Sequence, residues 1–417
     1  MSRFKIEGGY PLCGVLEVQG AKNSILPIMA ATLVSDGECV IENCPDISDT
    51  HSAIEILVAL GARVTKHQNF IVVDASNADK YEIPDNLMRK MRSSIMFLGA
   101  ILTRNRRALA SFPGGCELGQ RPIDLHLSSL KKLGVKIEEA HGFIDCVHDG
   151  LHGCEISLSF PSVGATENVM LAAVKAEGVT ILNNPAKEPE IEDLQNFLNK
   201  MGAKISGAGS NRIVIQGVKT LKGVTHRGIP DRIAAATYMC AVAATRGNAL
   251  LKNVIPSHLS AITSLLSDAG CNIRCFDNAI SIECDKLNAV KSIRTMPYPG
   301  FPTDIQAPFM ALMTLASGST VFIETIFENR FKHVGELLRM GAKITTEGRV
   351  AVVEGVKKLH SASVEATDLR GGAALVVAGL AAEGETIVSD IGHIDRGYER
   401  LEHNLTELGA KISVIKD

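Results

Sequence analysis

Lys22, Arg92, Arg232 and Arg370 each stand at the start of an alanine-rich apolar run. Six such runs begin near Lys22-Asn23, Arg92-Ser93, Gly164-Ala165-Thr166, Asp231-Arg232, Thr303-Asp304 and Thr367-Asp368-Leu369-Arg370. If each run is a helix, its first turn carries unbonded N–H groups and a partial positive charge, a setting that binds anions. Taken singly, each cation reads more simply as a cap or a surface ion pair. Four of them in register at six related helix starts point instead to a small, multiply charged anion. A second feature is the glycine-rich run Phe112-Pro113-Gly114-Gly115-Cys116-Glu117-Leu118-Gly119-Gln120-Arg121. Glycines there let the backbone approach a ligand closely. A thiol in such a loop packs little, so reactivity explains Cys116 better. Arg121 would favour its thiolate and Glu117 would oppose it.

A repeat positions these residues. The phrase "apolar, glycine, small, polar or basic, β-branched" recurs around Gly61, Gly134, Gly202, Gly270, Gly341 and Gly409, in steps of 73, 68, 68, 71 and 68 residues. Each of these glycines should stop an amphipathic helix, as after Ile191, Leu194, Phe197, Leu198 and Met201. A β-hairpin should follow, as in Lys204–Ser206 and Arg212–Ile215 around Gly207-Ala208-Gly209. A second punctuation at Gly37, Gly178, Gly247, Gly318 and Gly384 reads as the C-cap of the apolar helix. One unit is therefore buried helix, strand, surface helix and hairpin, a mixed α/β design. A single unit cannot bury its own apolar helix, so three would share one core. Six units near 70 residues predict two similar lobes, divided near 217–230.

Composition narrows the classes. The chain has 417 residues, 46% hydrophobic and 21% charged, with a net charge of −3, which excludes disorder. Aromatics are 4% with no Trp, so a base-stacking platform and a nucleic-acid partner are not expected. The sequence has no apolar run long enough to span a membrane and no leader-like opening, and cytosolic residence is expected. Ten cysteines without paired C-x-x-C spacing predict mostly buried thiols; Cys271 and Cys275 are the nearest approach. No P-loop, zincin, nucleophile-elbow or zinc-finger pattern occurs, so neither a metal nor a cofactor is expected.

Several phrases together resemble those of the UDP-N-acetylglucosamine 1-carboxyvinyltransferases. They are Gly20-Ala21-Lys22-Asn23, Pro113-Gly114-Gly115-Cys116, Arg121-Pro122-Ile123-Asp124-Leu125-His126 and Ser162-Val163-Gly164-Ala165-Thr166-Glu167-Asn168. Then come Pro299-Gly300-Phe301-Pro302-Thr303-Asp304, Glu328-Asn329-Arg330-Phe331, Ala366-Thr367-Asp368-Leu369-Arg370 and His393-Ile394-Asp395-Arg396-Gly397-Tyr398. The resemblance runs end to end and in order. It implies a two-domain inverse α/β barrel of six βαβαββ units, with residues 22–229 as one lobe, 1–21 plus 230–417 as the other, and the active site in the cleft between them.

The resemblance also implies the reaction, in which phosphoenolpyruvate gives its enolpyruvyl group to the sugar 3′-hydroxyl and phosphate leaves. In that reading Lys22, Asn23, Arg121, Arg370 and Arg396 hold phosphoenolpyruvate. Arg92, Arg121, Pro122, Ile123, Asp124, Leu125, Ser162, Val163, Gly164, Asp304 and Ile326 contact the sugar nucleotide. Asp304 is the expected general base, with Lys22 and Asn23 assisting. Cys116 is the expected proton donor and the site of a possible 2-(S-cysteinyl)pyruvic acid adduct. Fosfomycin, the family's thiol-directed epoxide, should inactivate the chain; unchanged activity after long incubation with excess would count against a catalytic Cys116. Asp231-Arg232-Ile233-Ala234-Ala235-Ala236, Phe160-Pro161 and Gly99-Ala100 depart from common family patterns and hint at the second paralogue of some Gram-positive bacteria. The rivals are 3-phosphoshikimate 1-carboxyvinyltransferase, which lacks the Pro-Gly-Gly-Cys loop, and a UDP-sugar-binding paralogue without turnover.

Overall fold

The computed structural model describes residues 2–113 and 123–416. The described residues divide into two compact units, one of 20–113 with 123–229, the other of 2–19 with 230–416. Each unit has its own apolar core.

The apolar runs are helices buried on almost every face, as their lack of a polar stripe requires. They are Lys22–Ala31, Phe97–Asn105, Val163–Ala173, Arg232–Ala244, Thr303–Met313 and Leu369–Ala381. Every residue of Ile233–Ala244 is buried, and so is every residue of Ile305–Met313. In the unit of 230–416 the three buried helices pack against one another. Arg92 is the exception in register, since it opens a 3-10 turn, Arg92–Met96, ahead of the helix.

Surface helices and hairpins follow the repeat. The helix Pro189–Met201 buries Ile191, Leu194, Phe197, Leu198 and Met201, and stops at Gly202 with φ of 110°. Gly61, Gly134, Gly270, Gly341 and Gly409 also take positive φ, between 87° and 101°. The second glycine set is not a row of C-caps. Val163–Ala173 ends well before Gly178, whose φ of 93° belongs to the turn into strand Val179–Asn183. After the fourth buried helix the left-handed residue is Arg246, φ 56°, not Gly247.

Among the described residues six small sheets complete the units, five with four strands and one with three. The topology shows how the chain passes between units. Strand Cys13–Glu17 pairs in parallel with Asn248–Lys252, yet the buried helix after it, Lys22–Ala31, belongs to the other unit. Strand Thr225–Arg227 makes the reciprocal move, pairing with Cys39–Glu42 before Arg232–Ala244. The sixth repeat ends on one strand, Lys411–Lys416. The N-terminal strand Ser2–Glu7 fills the missing place between it and Glu385–Ser389. No helix among the described residues is long and apolar enough to cross a membrane.

Candidate active site

Asp304 lies in the first turn of Thr303–Met313, where an acidic group suits the helix dipole. Two guanidiniums bracket its carboxylate. Arg330 donates from Nη2 to Oδ1 at 3.0 Å and Arg370 from Nη2 to Oδ2 at 3.3 Å. Both arginines are 3% exposed, and burial makes each pairing obligatory. Arg330 also donates to the Thr303 carbonyl, from Nε at 3.3 Å and Nη2 at 3.0 Å. Glu324 fixes the turn beneath it by accepting from the Thr295 and Thr303 hydroxyls and from the N–H groups of Ile326 and Phe327. The Ile326 N–H is thereby committed at 2.8 Å.

Arg370 carries the feature that most needs explaining. Its Nε and Nη1 are buried without a hydrogen-bond partner, although the guanidinium lies 5.2 Å from the centre of the Tyr398 ring. Burial opposes its charge, but Tyr398, Asp304 and Asp231 outweigh that and hold the guanidinium above its usual range. A buried cation with two uncommitted donors is costly unless a ligand completes it. Arg396 ends the neighbouring 3-10 segment, Ile391–Arg396.

In the other unit Lys22 opens its helix, and its ammonium pairs with Asp49 Oδ2 at 2.6 Å. Both side chains are nearly buried, and Asn23 beside them is half-buried. Arg92, Ile123 and Asp124 share a depression of about 490 Å³ that Phe112, Leu127, Ser128 and Lys131 also line. Leu125 is packed against the core. Ser162 caps Val163–Ala173, its Oγ accepting from the Ala165 N–H at 3.3 Å.

His126 joins these pieces. Burial, then the Arg92 charge, push its pKa down to about 4 against the pull of Asp124, so the ring is neutral. Asn168 donates to His126 Nδ1 at 2.7 Å, which leaves the ring proton on Nε2, beside Gly164. Asn168 is itself held by the Ile95 carbonyl and the Gly99 N–H. A Cβ on Gly164 would lie 2.8 Å from His126 Cε1, so the turn needs glycine there for space.

The helix-start reading therefore needs correction. Asp231 already accepts from the N–H groups of Ile233 and Ala234, and Asp368 from those of Arg370 and Gly371. With Ser162, three of the six helix starts are capped by their own side chains, and the starts at Lys22, Phe97 and Thr303 have no such cap. Arg232 stacks on Tyr298, 5.3 Å from its ring centre, instead of standing open at its helix start. Asp49, Arg330 and His126 were not singled out from the sequence. The phrases around Arg330 and His126 carried a signal, but Asp49 gave none, because its pairing with Lys22 exists only in three dimensions. Cys116, Arg121 and Pro122 lie outside the described residues.

The EPSP synthase (3-phosphoshikimate 1-carboxyvinyltransferase) family matches residues 6–405. A UDP-N-acetylglucosamine 1-carboxyvinyltransferase 2 of Caldanaerobacter subterraneus subsp. tengcongensis is 55% identical over 99% of both chains. The enzyme of the same name from Carboxydothermus hydrogenoformans is 50% identical over 100% of both. The chain belongs to the UDP-N-acetylglucosamine 1-carboxyvinyltransferase family. The enolpyruvyl transferase NikO of Streptomyces tendae superposes with a TM-score of 0.89 at 27% identity, covering 100% of this chain and 99% of that one. The fold is thus that of the enolpyruvyl transferases, as the sequence resemblance implied. Among the described residues no group of His, Cys, Asp or Glu has the arrangement of a metal site.

Proposed function

We infer that this chain transfers the enolpyruvyl group of phosphoenolpyruvate to the 3′-hydroxyl of UDP-N-acetylglucosamine with release of phosphate, as a cytoplasmic step of peptidoglycan precursor synthesis. The observation that carries the reading is the Asp304 carboxylate held between Arg330 and Arg370, with two buried Arg370 donors uncommitted.

The chemistry follows from charge. Phosphoenolpyruvate brings a carboxylate and a phosphate. Lys22, Asn23, Arg121, Arg370 and Arg396 supply charge-assisted donors for both. Asp304 takes the proton of the 3′-hydroxyl as its oxygen adds to C2, while Cys116 protonates C3. Loss of a C3 proton then expels phosphate and restores the double bond. Negative charge stays on the phosphate throughout, and preorganised guanidiniums stabilise it without reorganising. Arg92, Ile123, Asp124, Leu125 and Ser162–Gly164 form the nucleotide side of the reading, with Arg121, Pro122 and the Ile326 carbonyl. Arg330 positions Asp304 rather than touching substrate.

Phosphate release from phosphoenolpyruvate with UDP-N-acetylglucosamine, and none with shikimate 3-phosphate, is the expected result. Release with neither acceptor would favour a binding paralogue. Asp304→Ala should lower kcat by about 100-fold or more, the scale of a lost general base. It should leave sugar-nucleotide binding within about tenfold, roughly 1.4 kcal/mol. Turnover at the unsubstituted rate would remove Asp304 from the mechanism.

A further inference from the structure

Nine cysteines are described and all are free, but two of them face each other. Strand Asn272–Cys275 pairs antiparallel with Ala279–Glu283, with Asn272 opposite Glu283. One residue further along both segments, Cys271 stands opposite Cys284. The Cys271 N–H goes to the Leu266 carbonyl at 2.9 Å and the Cys284 N–H to the Gly247 carbonyl at 3.1 Å. Neither N–H bonds the facing cysteine, so the two occupy a non-hydrogen-bonded position. There opposing Cα atoms are about 4.5 Å apart and side chains come nearest. That spacing lies within the roughly 4.4–6.8 Å that a disulfide spans.

A third group differentiates the two thiols. Arg246 Nη1 lies 3.7 Å from Cys284 Sγ, and its Nη2 is anchored on the Leu315 carbonyl at 3.2 Å. The hydrogen bond from Cys271, then that cation, pull the Cys284 thiol below its usual range against burial. Cys271 is pushed up by the same hydrogen bond and by burial. One sulfur is thus disposed to attack and the other to hold a proton until a leaving group needs it. Exposure is 6% for Cys271 and 1% for Cys284, so both thiols are buried and a bulky disulfide is disfavoured as oxidant relative to a molecule the size of hydrogen peroxide.

We propose that Cys271 and Cys284 form a reversible thiol–disulfide pair oxidised by hydrogen peroxide. The Cys284 thiolate attacks one peroxide oxygen and breaks the O–O bond, giving a sulfenic acid. The hydroxide released takes the Cys271 proton and leaves as water. The Cys271 thiolate then attacks the Cys284 sulfur, forming the S–S bond and expelling a second hydroxide, which leaves as water after protonation. In sum, two thiols and one peroxide give one disulfide and two waters. None of the residues assigned to the substrates takes part.

The test uses the full chain treated with a few equivalents of hydrogen peroxide near neutral pH, alkylated under denaturing conditions and mapped without reduction. A Cys271–Cys284 peptide should accumulate before the exposed Cys13 and Cys275 are lost, should vanish in Cys271→Ser, and should revert with a dithiol reductant. Arg246→Gln should slow its formation about threefold or more, because the thiolate fraction falls. Three results would overturn the proposal: oxidation of Cys13 and Cys275 without this linkage, a linkage of Cys271 to a cysteine other than Cys284 in its place, or a rate unchanged in Arg246→Gln.

Discussion

Glu167 offers a quantitative test of how the helix Val163–Ala173 is built. It lies on Val163–Ala173, 3% exposed. Burial, then Glu190, then Glu188, push its pKa up from 4.5 to about 8. In the fold it is therefore a neutral acid at pH 7, whereas in the unfolded chain it is ionised above its ordinary value. A raised folded pKa contributes stability that is fully present below about 4.5 and is lost as pH climbs toward about 8, at about 1.4 kcal/mol per unit. Glu167→Gln keeps the size and hydrogen-bonding shape of the protonated acid but cannot ionise. Between about pH 5.5 and 7.5 the substituted chain should gain about 2.7 kcal/mol relative to the unsubstituted one. Urea unfolding followed by circular dichroism at both pH values measures that difference. An infrared carbonyl band of a protonated carboxyl at neutral pH, absent from Glu167→Gln, identifies the group independently. A stability difference that does not change with pH would refute the buried neutral acid.

Two further outcomes follow from the same geometry. Gly164→Ala drives a methyl group into His126, which Asn168 holds in place, so it should cost about 1–3 kcal/mol in stability and weaken UDP-N-acetylglucosamine binding; calorimetry showing both unchanged would contradict the packing. His333 is buried, and desolvation, reinforced by Arg330 and opposed by Asp368, lowers its pKa to about 4. A depressed folded pKa contributes stability present above about 6.5 and lost as pH falls toward about 4, so His333→Leu should flatten the acid limb by up to about 1.4 kcal/mol per unit; an unchanged limb would exclude a neutral His333.

Periodicity was legible because it is local. The glycines that stop the surface helices, the runs buried on every face and the six-unit count all follow from spacing along the chain. What escaped the sequence is what depends on strand exchange and register. Nothing in Cys13–Glu17 or Thr225–Arg227 announces that each pairs in one unit while its following helix packs in the other. Register likewise hid the thiol pair. Along the chain Cys271 and Cys275 come nearest to a paired spacing, but a strand sends residues four apart well away from each other, and the cysteine facing Cys271 is Cys284 across the hairpin. The helix-start pattern is modified for a related reason, since Asp231, Asp368 and Ser162 cap three of the six starts and take up first-turn donors there.

A net charge of −3 and a cationic site are compatible because the buried cations are neutralised within the protein. Lys22 faces Asp49, and Arg330 and Arg370 share Asp304. Burying these cations alone would cost several kcal/mol each, so the carboxylates are a condition of folding as well as of chemistry. The pairing is uneven, however. One Asp304 carboxylate serves two guanidiniums, and Arg370 keeps two donors uncommitted. Those two donors are what the proposed dianionic donor would complete. In the proposed reaction the base and an anion-binding group would be neighbours, since the carboxylate proposed to take the hydroxyl proton also accepts from Arg370. Removing Asp304 should therefore disturb the donor side as well as proton transfer, raising the KM for phosphoenolpyruvate together with the fall in kcat. A normal KM in Asp304→Asn would separate the two roles.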